Sequence, residues 1–111
     1  YSRDFTYIDN VIQANLLSLV TSNEKAINTV YNVAYGDRNT LNDLMIYLKE
    51  YLSAFDSKIL NIEVIYGPNR LGDIPHSHAS VDKAKENLNY NPQFNLQKGL
   101  KKAVQWYWKN L

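Results

Sequence analysis

The residues best suited to chemistry in this 111-residue chain are two arginines. Arg3 stands inside an aromatic run, and Arg70 stands in a segment without periodicity; neither position needs an arginine to fold. A guanidinium fork binds phosphate oxygens through two parallel hydrogen bonds, so two converging forks would suit a diphosphate. The competing reading pairs each arginine with a local carboxylate, Arg3 with Asp4 and Arg70 with Asp73. His76 and His78 face one way in an extended segment, with Asp73 near, a spacing open to a metal as well as to ordinary loop histidines. The second of these two readings is preferred, and no metal is assigned. Lys98, Lys101 and Lys102 read as a solvated helix face, and Trp106, Tyr107 and Trp108 as packing of a terminal helix.

Some chemistry is missing. A dinucleotide fingerprint needs three glycines within six residues, and Gly36, Gly67, Gly72 and Gly99 do not supply them. None of the nine tyrosines has a lysine four residues on; Tyr66 has Arg70 there. There is no nucleophile elbow and no phosphate-binding loop, so no catalytic residue is assigned to this chain.

The elements that must position these residues follow from pattern. Tyr1 to Ile8 alternates aromatic and β-branched residues with polar ones and reads as a strand. Asp9 or Asn10 would cap a helix from Val11 to about Thr21, apolar around most of its circumference and so in need of cover on more than one side. Val30 to Ala34 reads as a second strand, ended by Gly36-Asp37. Thr40 and Asp43 form a capping-box pattern ahead of a helix carrying Leu41, Leu44, Met45, Leu48 and Leu52. Ile62 to Tyr66 reads as a third strand and Gly67 to Ala79 as an irregular loop. Ser80 would cap a short helix, Pro92 breaks the chain, and Asn95 would cap the last helix. The order β-α-β-α-β-loop-α-α makes the fold class α/β, with about three strands and four helices.

Bulk properties narrow the function. The net charge of +1 is too small to steer the chain to nucleic acid or to an anionic membrane. With no cysteine there is no disulfide framework and no thiolate zinc site, and a cytoplasmic location is expected. No apolar run approaches the ~20 residues that span a bilayer. The chain opens at Tyr1, inside a strand-like segment and without an initiator methionine, which suggests truncation.

Several segments together resemble one family. Ser2-Arg3-Asp4-Phe5-Thr6-Tyr7-Ile8 is similar to the "RDF-x-Y" segment of extended short-chain dehydrogenases. Val30-Tyr31-Asn32-Val33-Ala34-Tyr35-Gly36 resembles their next strand. Gly72-Asp73-Ile74-Pro75-His76-Ser77, followed by Asp82-Lys83-Ala84, resembles a loop and helix near their C-terminus, and Leu88-Asn89-Tyr90-Asn91-Pro92 with Gly99-Leu100 their closing pattern. Each is weak alone; together they are in register over nearly the whole chain. Gln13-Ala14-Asn15-Leu16-Leu17 and the His76-Ser77 pair point to UDP-N-acetylglucosamine 4-epimerases, or those acting on its uronate, of bacterial surface-polysaccharide synthesis. His78 and Ser80 depart from that pattern.

The resemblance implies that residues 1–111 are a small C-terminal substrate-binding lobe. An N-terminal Rossmann domain would hold NAD and the catalytic Tyr/Lys/Ser set, and the parent would be a homodimer. It also implies that Arg3 and Arg70 bind the diphosphate of a UDP-sugar, Asp73 the ribose hydroxyls, and that Ser77 lines the hexose pocket. Other family reactions, among them dehydratases, decarboxylases and UDP-glucose 4-epimerases, share such a lobe. A free-standing binding or interaction domain is the alternative of a different class.

Overall fold

A computed structural model describes residues 1–111. Four helices carry most of the regular structure: α1 (Ile8–Val20), α2 (Leu41–Ser53), α3 (Asp82–Leu88) and α4 (Leu96–Asn110). The only ladder joins β1 (Ser2–Arg3) to β2 (Asn39–Thr40), antiparallel, with Ser2 opposite Thr40 and Arg3 opposite Asn39. A parallel bridge adds His76 on the other side of Ser2. The α/β class holds, with fewer paired strands than the pattern suggested.

The expected strands Val30–Ala34 and Ile62–Tyr66 are not in ladders. A strand is stabilised by a neighbour that takes its backbone groups and covers one face. Neither segment has one: Val30 is 83% exposed and Ile65 91%. Side chains hold the first segment instead. The Tyr90 hydroxyl donates to the Ala34 carbonyl at 2.6 Å, and the Asp4 carboxylate accepts the Tyr35 and Gly36 N–H groups at 3.3 and 2.8 Å. Gly36 sits at φ +100°, which suits a residue without a Cβ.

Helix boundaries follow capping chemistry with two corrections. Thr40 and Asp43 exchange both bonds of a capping box at α2, and Asn95 accepts the Lys98 N–H at α4. α1, however, begins at Ile8, three residues before the expected start, and neither Asp9 nor Asn10 caps it. Asn10 has another task. Fully buried, its amide donates to the Phe94 carbonyl and accepts the Gln93 and Phe94 N–H groups. Three residues on, Gln13 makes both bonds to the Asn91 backbone at 2.7 Å. These two amides fasten the extended lead into α4 along α1. Ser80 is not the cap residue of α3, which starts at Asp82 after Val81; its hydroxyl only meets the Asp82 N–H at 3.4 Å.

The core is small. Ala14, Ala34, Val81, Ala84 and Tyr90 form the buried cluster, with Leu17, Tyr31 and Val33 against it. α2 packs on α4, where Gly99 lets the helix come close to Tyr7. The radius of gyration is 16.9 Å, against about 13 Å for a compact chain of this length. The exposed surface is 8225 Å², about 1,900 Å² above that of a compact protein of this mass. Much of the excess is apolar. Ile8, Ile12, Leu16 and Leu19 form an uncovered stripe along α1, as the all-round apolar pattern of that helix requires.

Candidate functional site

Two of the four sequence-predicted residues, Arg3 and Ser77, are joined through one buried serine. Ser2 is 2% exposed. Its N–H donates to the Pro75 carbonyl at 2.8 Å, its carbonyl accepts the Ser77 N–H at 3.1 Å, and its hydroxyl meets His76 Nδ1 at 2.7 Å. The strand carrying Arg3 and the loop carrying Ser77 are thereby zipped together. Successive strand residues point to opposite faces. With Ser2 and His76 in contact on one face, Arg3 and Ser77 lie on the other, beside Asn39 across the ladder.

Arg3 makes no ion pair. Its Nη1 donates to the Ser2 carbonyl at 2.7 Å and reaches the Pro75 carbonyl at 3.5 Å. Asp4, the carboxylate that could have neutralised it, is taken by the Tyr35 and Gly36 N–H groups. Arg70 does pair: its Nε donates to Asp73 Oδ2 at 3.1 Å, with side-chain exposures of 85% and 23%. A tight turn sets that pair up. The Asp73 N–H donates to the Arg70 carbonyl, and Gly72, at φ +85°, takes the left-handed corner that a type II turn reserves for glycine.

Arg70 and Asp73 line a cleft of about 540 Å³ between Tyr1, the start of α2 and the segment Val64 to Asn69. Its floor is apolar, with Leu44, Met45 and Val64. Asn42 stands at the rim, where it accepts the Tyr66 hydroxyl at 3.0 Å. An apolar floor with a few charged and amide groups at the mouth fits a small planar ligand with an anionic tail. Arg3 and Ser77 are not among the lining residues, so the two guanidinium groups do not share one cleft here. The Ser77 hydroxyl makes no hydrogen bond within the chain and is exposed.

The other candidates are accounted for locally. His78 lies in a shallow surface depression with Gly36 and Val81, and no three His, Asp or Glu side chains are grouped to hold a metal. Lys102 stands 5.0 Å over the Phe94 ring, and Trp108 stacks on Phe55 at 5.2 Å. Burial, then the Asp4 charge, raises the pKa of Tyr90, keeping the phenol protonated for its bond to Ala34. A dinucleotide does not fit these residues. Phe5-Thr6-Tyr7, Arg38-Asn39-Thr40, Ala79-Ser80-Val81 and Gln93-Phe94-Asn95 precede the four helices, and none holds a glycine.

From sequence, Asp4 and Asn10 have other roles, a partner for Arg3 and a helix cap, and Ser2 has no role of its own. Ser2 alone left a signal, a small polar residue at the inward position of a strand.

No family model matches the chain. It is 35% identical to a UDP-glucuronate 4-epimerase of Arabidopsis thaliana, over 96% of this chain and 25% of the relative. It is 27% identical to Protein CapI of Staphylococcus aureus, over 95% of this chain and 34% of that protein. The fold matches the UDP-glucuronic acid 4-epimerase of Bacillus cereus, solved in complex with UDP-glucuronic acid and NAD. The TM-score is 0.73 and the identity 24%, over 99% of this chain and 33% of that one. The chain thus spans a quarter to a third of the proteins it matches. It has the fold of the C-terminal part of a UDP-glucuronic acid 4-epimerase and, across nearly all its length, is a sequence relative of UDP-sugar 4-epimerases.

Proposed function

We propose that residues 1–111 are the UDP-sugar-binding lobe of an NAD-dependent 4-epimerase whose catalytic groups and cofactor reside on a Rossmann domain. The carrying observation is the cleft closed by the Arg70–Asp73 turn, on a chain whose fold is the C-terminal part of such an enzyme. In this reading the uracil and ribose enter the cleft, Asp73 takes ribose hydroxyls, and Arg70 turns from Asp73 to the diphosphate. Arg3, free of any carboxylate, closes on the diphosphate from the adjoining strand. The uncovered α1 stripe and the unpaired segments Val30–Ala34 and Ile62–Tyr66 pack against the Rossmann domain. The surface excess of about 1,900 Å² is larger than an ordinary inter-domain interface of about 600–1,500 Å², as a lobe that shares its core with a second domain requires. The parent acts in the cytoplasm as a homodimer, with no nucleic-acid or membrane partner.

The sugar is a UDP-N-acetylhexosamine or its uronate. Ser77 supports the acetamido group, because its small side chain leaves room and its hydroxyl is unused by the chain. A second reading, a uronate without the acetamido group, is favoured by relatives named for UDP-glucuronate. Ser77→Tyr in the full-length protein separates the two. If the acetamido group occupies this space, kcat/KM for UDP-N-acetylglucosamine falls about tenfold to a hundredfold while UDP-glucose is spared. Equal losses, or none, remove the acetamido assignment.

A further inference from the structure

The loop from Gly67 to Ser77 has no apolar anchor of its own: Leu71 is fully exposed and Ile74 is 62% exposed. Its hydrogen bonds to the rest of the chain run through two neighbours, Ser2 above all and then Arg3. All three polar groups of Ser2 engage Pro75, His76 and Ser77, and the Ser2 hydroxyl to His76 contact is the loop's one side-chain-to-side-chain hydrogen bond outside itself. The Arg3 guanidinium adds a long bond to the Pro75 carbonyl.

We propose that Ser2 and His76 are a positioning pair that sets the register between Arg3 and Ser77, and so between diphosphate and hexose. Neither side chain faces the ligand. Each is followed by a residue that does, on the opposite face of the same bridge. A one-residue slip of a strand reverses which side chains each face presents. With only two backbone bonds left, the loop is held by main-chain groups that could pair in another register, and the hydroxyl-to-imidazole bond selects this one. The inference rests on the proposed UDP-sugar function and names how that site is kept in order.

The test uses the full-length protein with four variants: Ser2→Ala, His76→Ala, the double change, and His76→Asn, whose amide offers a polar atom near the Nδ1 position. Each single alanine variant is expected to raise KM for the UDP-sugar about three- to tenfold, the scale of one hydrogen bond, and more than it lowers kcat. The double variant is expected to be no worse than either single, because one bond is removed in all three. His76→Asn restores most of the loss, and NAD affinity is unchanged throughout. Unchanged KM in the alanine variants with a lowered melting temperature, or losses that multiply in the double, overturns the pair while wild-type UDP binding stands. Wild-type protein that does not bind UDP overturns the functional reading, and the pair's role with it.

Discussion

Arg70→Ala is the sharpest perturbation of the candidate cleft. The Arg70 side chain is 85% exposed and pairs with Asp73 at 3.1 Å. An exposed pair of this kind contributes about 0–1 kcal/mol, so it is the full cost of turning Arg70 toward a diphosphate. The charged hydrogen bonds gained there contribute about 1.5–3 kcal/mol. The difference leaves a net contribution of about 0.5–3 kcal/mol, a loss of roughly two- to 160-fold in UDP affinity on removal. Titration calorimetry of the full-length protein with UDP, without sugar, reads this directly. The loss should shrink as ionic strength rises, since the contact is to a phosphate near the surface. Arg70→Lys should recover part of it, because a point charge replaces a planar fork. Unchanged UDP affinity with altered sugar preference would refute the reasoning, by showing that Arg70 faces the hexose.

Two further predictions concern the scaffold. In Gly99→Ala the new Cβ would stand 2.6 Å from Tyr7 Cβ and 2.9 Å from its Cγ, atoms close to the backbone that cannot swing aside. Overpacking of about 1–3 kcal/mol exceeds the ~1 kcal/mol that alanine contributes in a helix, so thermal unfolding of the full-length protein should shift downward; an upward shift would contradict the close approach. Burial, then the Asp4 charge, raises the Tyr90 pKa, so the folded state favours the neutral phenol. Its contribution is complete below the ordinary tyrosine value of about 10 and is lost as pH rises from there through the raised folded value. Tyr90→Phe should be less stable at pH 7 and show a flatter alkaline decline, and equal alkaline slopes in the two proteins would count against this.

How much of this was legible depended on where the determinants lie. α2 and α4 were readable because their stops and starts are local: Thr40 with Asp43, and Asn95, act within four residues. The Arg70–Asp73 pair was readable as one of two options because the carboxylate lies three residues from the arginine. The strands were over-read. Ile62–Tyr66 has β-branched residues in the right rhythm, but a ladder depends on a neighbour, and none lies beside it in this chain. Asn10 was misassigned for a related reason: from sequence an Asn at a helix start is a cap, while its real partners, Gln93 and Phe94, are more than eighty residues away. The roles of Ser2 and Asp4 rest on contacts to residues 75–77 and 35–36, again beyond the reach of local pattern.

The central claim, that this lobe presents a UDP-sugar for inversion at C4, is tested most directly by following C4 configuration. The full-length protein is incubated with NAD and either UDP-N-acetylglucosamine or its uronate, and the product sugars are resolved by NMR. The account expects the 4-epimer to accumulate to an equilibrium mixture with no net change in NADH, no turnover by the 111-residue chain alone, and a rate reduced by Arg70→Ala. UDP-sugar turnover by the isolated chain, or full-length protein that neither binds UDP nor inverts C4 of any UDP-sugar, would contradict it.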